Sequence, residues 1–146
     1  MISRLLAALA ALAAPAAALA DPCVAPLPKA GTAFSGQVRY VGDGDSLCVG
    51  PTADPRTWVE VRLADFYAPE LKEPQGRRAK AALSELAMGR RLDCRSGKRS
   101  YDRVVARCRL DGADVGDLLR RRGVPEGGRG KAAAGLSEAE RELRRR

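Results

Sequence analysis

The pattern of apolar and polar residues predicts a chain built mainly from β-strands. Three strand-like runs lie between residues 35 and 66, and in the third of them valine and leucine alternate with Glu60 and Arg62. Two more strands are expected on either side of KRSYDR, residues 98–103. The first three runs are SGQVRYV (35–41), SLCVG (46–50) and TWVEVRLADF (57–66).

Two further segments have the spacing of helices. Residues 76–92 repeat alanine and leucine every three or four positions, and Gly89 suits the cap beyond the end of that helix. Asp114 can cap a second, short helix that Gly123 would stop. Three strands, a helix, two strands and a helix is the order in which an OB-fold is built. The sequence therefore predicts an α+β, mainly β domain: a five-stranded OB-fold barrel with two or three helices.

The first twenty residues have the pattern of a secretory signal peptide. A single early cation, Arg4, precedes an apolar run that ends in Ala-Leu-Ala before Asp21. Pro15 and the small residues at the end of the run favour cleavage after Ala20 over a membrane span. No other segment approaches the roughly 18 apolar residues that a spanning helix needs. We therefore expect a secreted or periplasmic protein that has no membrane contact once the signal is removed.

The remaining sequence divides into an arm, a domain and a C-terminal segment. The arm is rich in proline, and the C-terminal segment carries a capping box, Ser137 with Glu140, near the start of a last helix. The expected boundaries are 1–20 for the signal peptide, 21–34 for the N-terminal arm, 35–126 for the OB-fold domain, and 127–146 for a flexible basic segment with a C-terminal helix.

The four cysteines all lie beyond the signal peptide, and an even number in an oxidising compartment indicates two disulfides. Register selects one of the three possible pairings. A hairpin centred on Tyr101 sets Cys94 opposite Cys108, at a separation that a disulfide can span, and this leaves Cys23 with Cys48. A zinc site is the weaker alternative, because the chain has no C-x-x-C pair and no histidine.

The charge balance narrows the class of partner. The chain has 26 lysines and arginines against 18 aspartates and glutamates, a formal net charge of +8. Such a basic exported protein points to an anionic partner, which could be nucleic acid, a membrane surface or an acidic polysaccharide. The alternative is that the charge serves solubility alone. The absence of histidine excludes histidine-based ribonuclease chemistry.

The segment RYVGDGDSLCV, residues 39–49, joins the first two strands through Gly-Asp-Gly-Asp. Taken alone, it predicts a hairpin turn, because glycine adopts positive φ freely and aspartate tolerates it. The alternative is that the two aspartates hold a charged ligand.

Taken together, VGDGDSL, VRLADFYAPE, SYDR and the helices that follow resemble the thermonuclease family, the staphylococcal-nuclease-like (SNc) phosphodiesterases. The family pattern has Asp-Gly-Asp followed by Thr or Ser, then Arg-Leu-Ala-x-x-Asp-Ala-Pro-Glu, then Tyr-Gly-Arg. The resemblance covers roughly residues 35–146. It implies an OB-fold endonuclease that uses Ca²⁺ to hydrolyse phosphodiester bonds in DNA and RNA. We expect it to act as a monomer.

The resemblance also implies roles for individual residues. Asp45 matches the calcium-binding aspartate, and Asp43 matches the aspartate that supports the metal and its waters. Arg62 and Arg103 match two arginines that bind the phosphate, and Glu70 matches the glutamate taken as the general base. These five residues would form the catalytic and metal-binding centre.

Further candidates and one departure complete the expected site. Tyr101 matches a tyrosine beside the substrate phosphate, and Lys98 in the same hairpin is a second candidate for substrate binding. The carbonyl of Ala68 is a candidate metal ligand. Tyr67 stands where the family usually has a second calcium-binding aspartate, so calcium binding should be weaker unless Asp65 or Asp43 contributes. The family's base-stacking tyrosines near the last helix also have no aromatic counterpart in residues 123–140.

Each of these residues has a simpler alternative role. Either arginine could be a solvated surface charge, and Arg62 could pair with Glu60 across strands. Glu70 could cap a turn, and Tyr67 could pack against Trp58 or the helix. The ordered set of motifs favours a catalytic site. Two other hypotheses stay open: a catalytically impaired OB-fold module that binds nucleic acid, and a basic envelope protein with a different anionic partner.

Overall fold

The computed structural model describes residues 21–128, so the expected signal peptide and most of the expected C-terminal segment, with its helix, lie outside the described residues. Within this range neither helix has the length and apolar content needed to cross a membrane. The elements are β1 (Ala33–Val41), β2 (Ser46–Gly50), a 3₁₀ turn (Pro55–Thr57), β3 (Val59–Leu63), α1 (Gly76–Ala87), β4 (Arg91–Ser100), β5 (Arg103–Leu110), β6 (Ala113–Asp114) and α2 (Val115–Arg121).

The five long strands form a closed ring in the order β3-β2-β1-β4-β5. All neighbours pair antiparallel except β3 and β5, which close the ring by pairing in parallel. The two-residue strand β6, which the sequence pattern did not predict, extends the sheet at the far side of β5. The predicted mainly β, α+β class with two helices is confirmed for the described residues.

The strand ends differ from the prediction at β1 and β3. β1 begins at Ala33, inside the predicted arm, because it pairs with β4 from that residue onward. β3 is shorter than the predicted 57–66. The 3₁₀ turn occupies its predicted start, since the side chain of Asp54 accepts a hydrogen bond from the Arg56 amide and caps that turn.

The interior of the ring is filled by the inward side chains of the strands. In the middle strands these are pairs of aliphatic residues at alternate positions, and each one fully buried stabilises the fold by about 1.5–3 kcal/mol. The buried pairs are Leu47 and Val49 on β2, Val61 and Leu63 on β3, and Val104 and Ala106 on β5. The residues between them, Cys48, Arg62 and Val105, therefore lie on the outer face of the ring.

Helix α1 packs Leu83 and Leu86 into this core and ends at Ala87, shortly before the predicted cap at Gly89. Gly89 follows with a φ of 74°, in the left-handed region, which confirms the predicted cap. The amide of Gly89 donates to the Val38 carbonyl at 2.9 Å. The chain therefore turns from the helix directly towards β4.

Both predicted disulfides are present: Cys23–Cys48 and Cys94–Cys108. Cys94 lies opposite Cys108 in the β4–β5 register, as the hairpin argument required. The first disulfide holds the N-terminal arm against the ring, and the amide of Ala25 donates to the Trp58 carbonyl at 3.0 Å. On the chain-entropy model each crosslink stabilises the fold by about 3 kcal/mol.

Helix α2 begins after Asp114, as predicted, but the Asp114 side chain makes no capping hydrogen bond. Its carboxylate is instead bound by two arginines of β5, with Arg109 Nε at 3.1 Å and Arg107 Nε at 3.3 Å. The predicted helix start is therefore correct in position and wrong in mechanism.

Candidate active site on the outer face of the ring

The Gly-Asp-Gly-Asp segment is the tight connection between β1 and β2, closed by a 2.9 Å hydrogen bond from the Gly42 amide to the Ser46 carbonyl. The expected reason for its glycines is wrong, because neither Gly42 nor Gly44 has a positive φ. A Cβ at Gly44 would lie 2.6 Å from the Cβ atoms of both Ala68 and Ala79. Glycine is required here because α1 and the loop after β3 press against this connection, and that packing fixes the aspartate on either side.

The two aspartates form a hydrogen-bonded pair. Asp43 Oδ1 accepts from the Asp45 amide at 3.0 Å and from the Ser46 hydroxyl at 2.7 Å. Asp45 Oδ2 accepts from the Ala68 amide at 2.7 Å, and only 5% of Asp45 is exposed. The side chains of Asp43 and Asp45 also lie within hydrogen-bonding reach of each other. A pair this close carries either a shared proton or a strong attraction for a cation.

Arg62 is the cation that this pair contacts. It stands on β3 opposite Ser46, and its Nη1 lies 2.9 Å from Asp45 Oδ2. The same Nη1 donates to the carbonyls of Leu63 and Phe66, each at 3.0 Å. The expected alternative of a pair with Glu60 is therefore not the contact that forms. Asp45 is the carboxylate partner of Arg62.

The pKa values of the two aspartates are shifted in opposite directions. Burial raises the pKa of Asp45 to about 7, against the attraction of Arg62, and the nearby charge of Asp43 adds to the rise. Burial also acts to raise the pKa of Asp43, but the hydrogen bonds from Ser46 and the Asp45 amide outweigh it and leave that pKa below its ordinary value. Near neutral pH Asp45 therefore gains or loses a proton while Asp43 stays ionised.

The loop after β3 carries Ala68 and Glu70. The backbone amide of Ala68, and not its carbonyl, makes the hydrogen bond with the Asp45 side chain. A Cβ at Gly128 would lie 2.6 Å from the Ala68 carbonyl oxygen and 3.4 Å from Glu70 Oε1, so these two oxygens face the same point of the chain. The amide of Glu70 donates to Glu73 Oε2 at 2.9 Å. It is thus Glu73 that caps this turn, and the Glu70 carboxylate is not used for that purpose.

Tyr67 is placed by contacts that the sequence did not reveal. Its ring lies 5.3 Å from the guanidinium carbon of Arg62, which is a cation–π contact. Its amide donates to Glu126 Oε1 at 3.2 Å, and its carbonyl accepts from the Gly127 amide at 2.9 Å. Packing against Trp58 or α1 is therefore not its main role. No local sequence signal could have shown contacts between segments so far apart.

Helix α2 holds the same loop from the other side. Arg120 donates to the Asp65 carbonyl and to Glu126, and it lies over the ring of Phe66 at 5.7 Å. The Asp65 carboxylate accepts from the Gly116 amide at 3.0 Å, and burial raises its pKa. Asp65 therefore faces α2, and the expected alternative that it joins a metal site has no support in these contacts.

Arg103 lies on the same outer face as Arg62 but one strand away. Val104 pairs with Val61 in the parallel register, so Arg103 lies beside Glu60, two residues from Arg62. Its positive charge acts to lower the pKa of Glu60. The register therefore brings both arginines to neighbouring strands of one face without direct contact.

Glu60 belongs to a second carboxyl cluster that the sequence did not predict. Burial, a hydrogen bond with Asp21 and the negative charge of Asp102 raise its pKa to about 7, against Arg103. Tyr101 lines the same cavity of about 470 Å³ as Glu60. Asp21 reaches Glu60 because the disulfide and backbone hydrogen bonds hold the arm against the ring, so short-range patterns could not reveal this cluster.

The two hairpin candidates remain on the surface. Tyr101 is 95% exposed at the tip of the β4–β5 hairpin, with a φ of 59°, and Lys98 is also exposed. Neither makes a hydrogen bond or ion pair with Asp45 or Arg62 in the described structure. The geometry therefore does not connect them with the carboxyl pair.

The expected site is thus assembled in part. Asp43, Asp45, Arg62 and Ala68 are in direct contact, Glu70 lies in the adjoining loop, and Arg103 stands on the next strand. Among residues 21–128 no three or more histidine, cysteine, aspartate or glutamate side chains are arranged to hold a metal ion.

Neither the protein-family models nor the curated proteins contain a match to this chain. The family resemblance therefore depends on the motifs and on this geometry.

Proposed function

We propose that this chain is an exported nuclease of the staphylococcal-nuclease-like kind, which uses Ca²⁺ to hydrolyse phosphodiester bonds in DNA and RNA. The observation that carries the proposal is the contact of Arg62 with the buried Asp45, which is hydrogen-bonded to Asp43, beside the loop that holds Glu70. A closed ring of five strands supports the OB-fold assignment. The two disulfides support export to an oxidising compartment, secreted or periplasmic.

The donor set fits a weak calcium site. Two adjacent carboxyl groups, Asp43 and Asp45, offer hard oxygen ligands, and the proton that Asp45 keeps up to about pH 7 is what a cation would replace. Since Ca²⁺ takes six to eight oxygens, waters would supply most of the rest, and a dissociation constant of roughly 10⁻⁴–10⁻³ M is expected. When bound, Ca²⁺ supplies Lewis-acid stabilisation of charge on a phosphoryl oxygen.

Arg62 is prepared to bind a phosphate. Its contacts with the protein's oxygens within residues 21–128 are all made by Nη1. Nη2 and Nε can therefore donate side by side to two phosphate oxygens, in the forked geometry that suits a guanidinium. The Tyr67 ring and the fixed Nη1 restrict the rotation of the group. Arg103, on the neighbouring strand, supplies a second guanidinium that stays charged at any working pH.

Glu70 supplies the base in this proposal. A carboxylate can orient or deprotonate the attacking water, and the chain has no histidine to take that role. The backbone of Glu70 is held by Glu73 and by the close approach of Gly76, where a Cβ would overlap the Glu70 carbonyl. Its carboxylate is therefore carried on a fixed part of the loop, close to the Ala68 carbonyl.

The test is a calcium titration of cleavage. Protein purified after export should degrade single-stranded DNA, duplex DNA and RNA, with half-maximal rate at roughly 10⁻⁴–10⁻³ M Ca²⁺. Activity should stop on addition of a chelator and return when calcium is restored. Cleavage at full rate in the presence of the chelator would contradict the proposed use of calcium.

A second candidate function is a nucleic-acid-binding module that has lost catalysis. The observation in its favour is that Tyr67 replaces the family's second acid, which leaves only a two-carboxylate donor set. The net charge of +8 would still favour binding to a polyanion. Protein that binds oligonucleotides and cuts none at any calcium concentration would establish this candidate, and binding only to other polyanions would favour an envelope role.

A further inference from the structure

The outward faces of β4 and β5 carry a row of arginines that the proposed site does not use. Arg95 lies directly opposite Arg107 in the antiparallel register. Like charges placed directly opposite each other destabilise a sheet, so such a pair suggests that an anion is bound there. Both side chains are exposed, and they lie on the opposite face of the sheet from the core.

Acidic neighbours balance this row only in part. Arg107 and Arg109 share one carboxylate, that of Asp114, at 3.3 and 3.1 Å. Arg95 donates to the Gly31 carbonyl at 2.8 Å and makes no ion pair within the described range. Asp93 also lines the cavity, lies opposite Arg109 in the register and pairs with Arg91 at 3.3 Å. The row of Arg95, Arg107 and Arg109 therefore keeps a small excess of positive charge over the two nearby aspartates.

The arginines form the rim of a shallow groove of about 600 Å³, here named the β4–β5 groove. Its floor is made of small residues: Ala33, Ala64, Gly97 and Val105. Gly97 contributes no side chain to it, and a Cβ there would lie 2.9 Å from the Val105 carbonyl oxygen, so the β4 and β5 backbones approach closely at this point. An extended chain of anionic groups can therefore lie along the floor with guanidiniums on its rim.

The groove begins next to the proposed active site. Val105 pairs with Arg62 in the parallel register of β3 and β5, and both face outward. A nucleic-acid strand that has one phosphate at Arg62 can continue across Val105 and reach Arg107, two residues further along β5. This continuity distinguishes the row of arginines from scattered surface charges.

We propose that the β4–β5 groove binds the sugar–phosphate backbone of a nucleic-acid strand beyond the phosphate at Arg62. Guanidinium forks match phosphate oxygens, and no aromatic residue lines the groove as a stacking platform for bases. Recognition is therefore independent of sequence and serves DNA and RNA alike. That the bound polymer is a nucleic acid rests on the proposed function. Its contacts with the arginines do not require cleavage.

The experiment measures oligonucleotide binding by fluorescence anisotropy over a series of salt concentrations, in chelator so that nothing is cut. Each phosphate contact on a single strand contributes about 0.7 to the slope of log K against log salt concentration. The double variant Arg95→Gln with Arg107→Gln should therefore lower the magnitude of the slope by about 1.4. The double variant with lysine at both positions should keep the wild-type slope, because the charge is retained.

The matched control is Arg78→Gln with Arg122→Gln, two exposed arginines that line a separate cavity between α1 and α2. It removes the same charge and should change the slope by less than half as much. An unchanged slope in the Arg95 and Arg107 variant, or an equal change in both double variants, would show that the β4–β5 groove does not bind the nucleic-acid backbone. So would a dependence on these arginines for heparin but not for the oligonucleotide.

The outcome is separable from that of the proposed function. If the wild type binds with the predicted dependence on Arg95 and Arg107 but never cuts with calcium, binding in the β4–β5 groove is supported and the nuclease proposal fails. If the wild type cuts with calcium and the salt dependence of binding does not depend on Arg95 and Arg107, the nuclease proposal is supported and the proposed binding in the β4–β5 groove is refuted.

Discussion

Tyr67 is the residue at which the chain departs most clearly from the family it resembles, and its ring lies over Arg62. Tyr67→Asp would replace that ring by a carboxylate close to Asp45. We predict that the calcium concentration for half-maximal cleavage falls roughly tenfold, because calcium affinity rises with the number of charged ligands. Tyr67→Phe is the matched control and should leave this midpoint unchanged. An unchanged midpoint in Tyr67→Asp would show that residue 67 does not reach the metal.

Glu60 allows a test of the second carboxyl cluster through stability. Its pKa of about 7 in the folded chain lies above the ordinary 4.5, so the folded chain keeps a proton that the unfolded chain releases. The resulting stabilisation is complete below about pH 4 and is lost as the pH rises through 7.

Glu60→Gln cannot ionise, so its free energy of unfolding should fall less than that of the wild type as the pH rises from about 4 to 7. Urea denaturation at several pH values measures this difference. The exposed Glu85→Gln is the control and should follow the wild-type curve. Parallel curves for wild type and Glu60→Gln would show that the buried carboxyl is not linked to folding.

At the residue scale, the sequence identifies types of side chain but not their partners. Arg62 next to Glu60 suggested a pair across strands, yet Arg62 binds Asp45, which lies on another connection of the ring. The motifs placed Asp45 in a metal site and could not show its contact with the Ala68 amide. Such contacts depend on how separate segments pack, and local spacing carries no information about that.

At the scale of elements, packing constrains the connection between β1 and β2. Gly44→Ala would bring a methyl group to 2.6 Å from both Ala68 and Ala79. We predict a loss of about 1–3 kcal/mol in the free energy of unfolding, measured by urea denaturation, because the core has no room for it.

A double-mutant cycle identifies the cause of that loss. Ala79→Gly removes one of the two methyl groups that the new Cβ would meet, so Gly44→Ala should cost less in this background than in the wild type. Equal costs in the two backgrounds would contradict the packing argument. A variant as stable as the wild type would show that glycine is needed here for some other reason.

The elements themselves could largely be predicted from the sequence. β2 has its predicted bounds, and Gly89 caps α1 as expected, because both follow from local periodicity and backbone preference. Errors in the strand bounds arise where another local structure competes with the strand. The capped 3₁₀ turn at Pro55–Thr57, for example, shortens the predicted third strand. β6 was missed because a two-residue strand has no period to detect.

At the scale of the whole molecule, closure of the ring determines which residues can act together. The parallel pairing of β3 with β5 sets Arg62 beside Val105 and Arg103 near Glu60. No periodicity predicts a pairing between strands so distant in sequence. The disulfides are the exception, since hairpin register and an even count of cysteines sufficed to predict both pairs.

We propose that Asp45, Arg62 and Glu70 act on one phosphate, with Glu70 directing the attack of water. The most direct test of this proposal compares Glu70→Gln with the wild type in single-turnover cleavage and in oligonucleotide binding, with Glu85→Gln as control. We predict that Glu70→Gln lowers the rate by roughly 10²–10⁴ and leaves the binding constant nearly unchanged. Cleavage at the wild-type rate, or a loss of binding that accounts for the loss of rate, would show that Glu70 does not direct the attack of water.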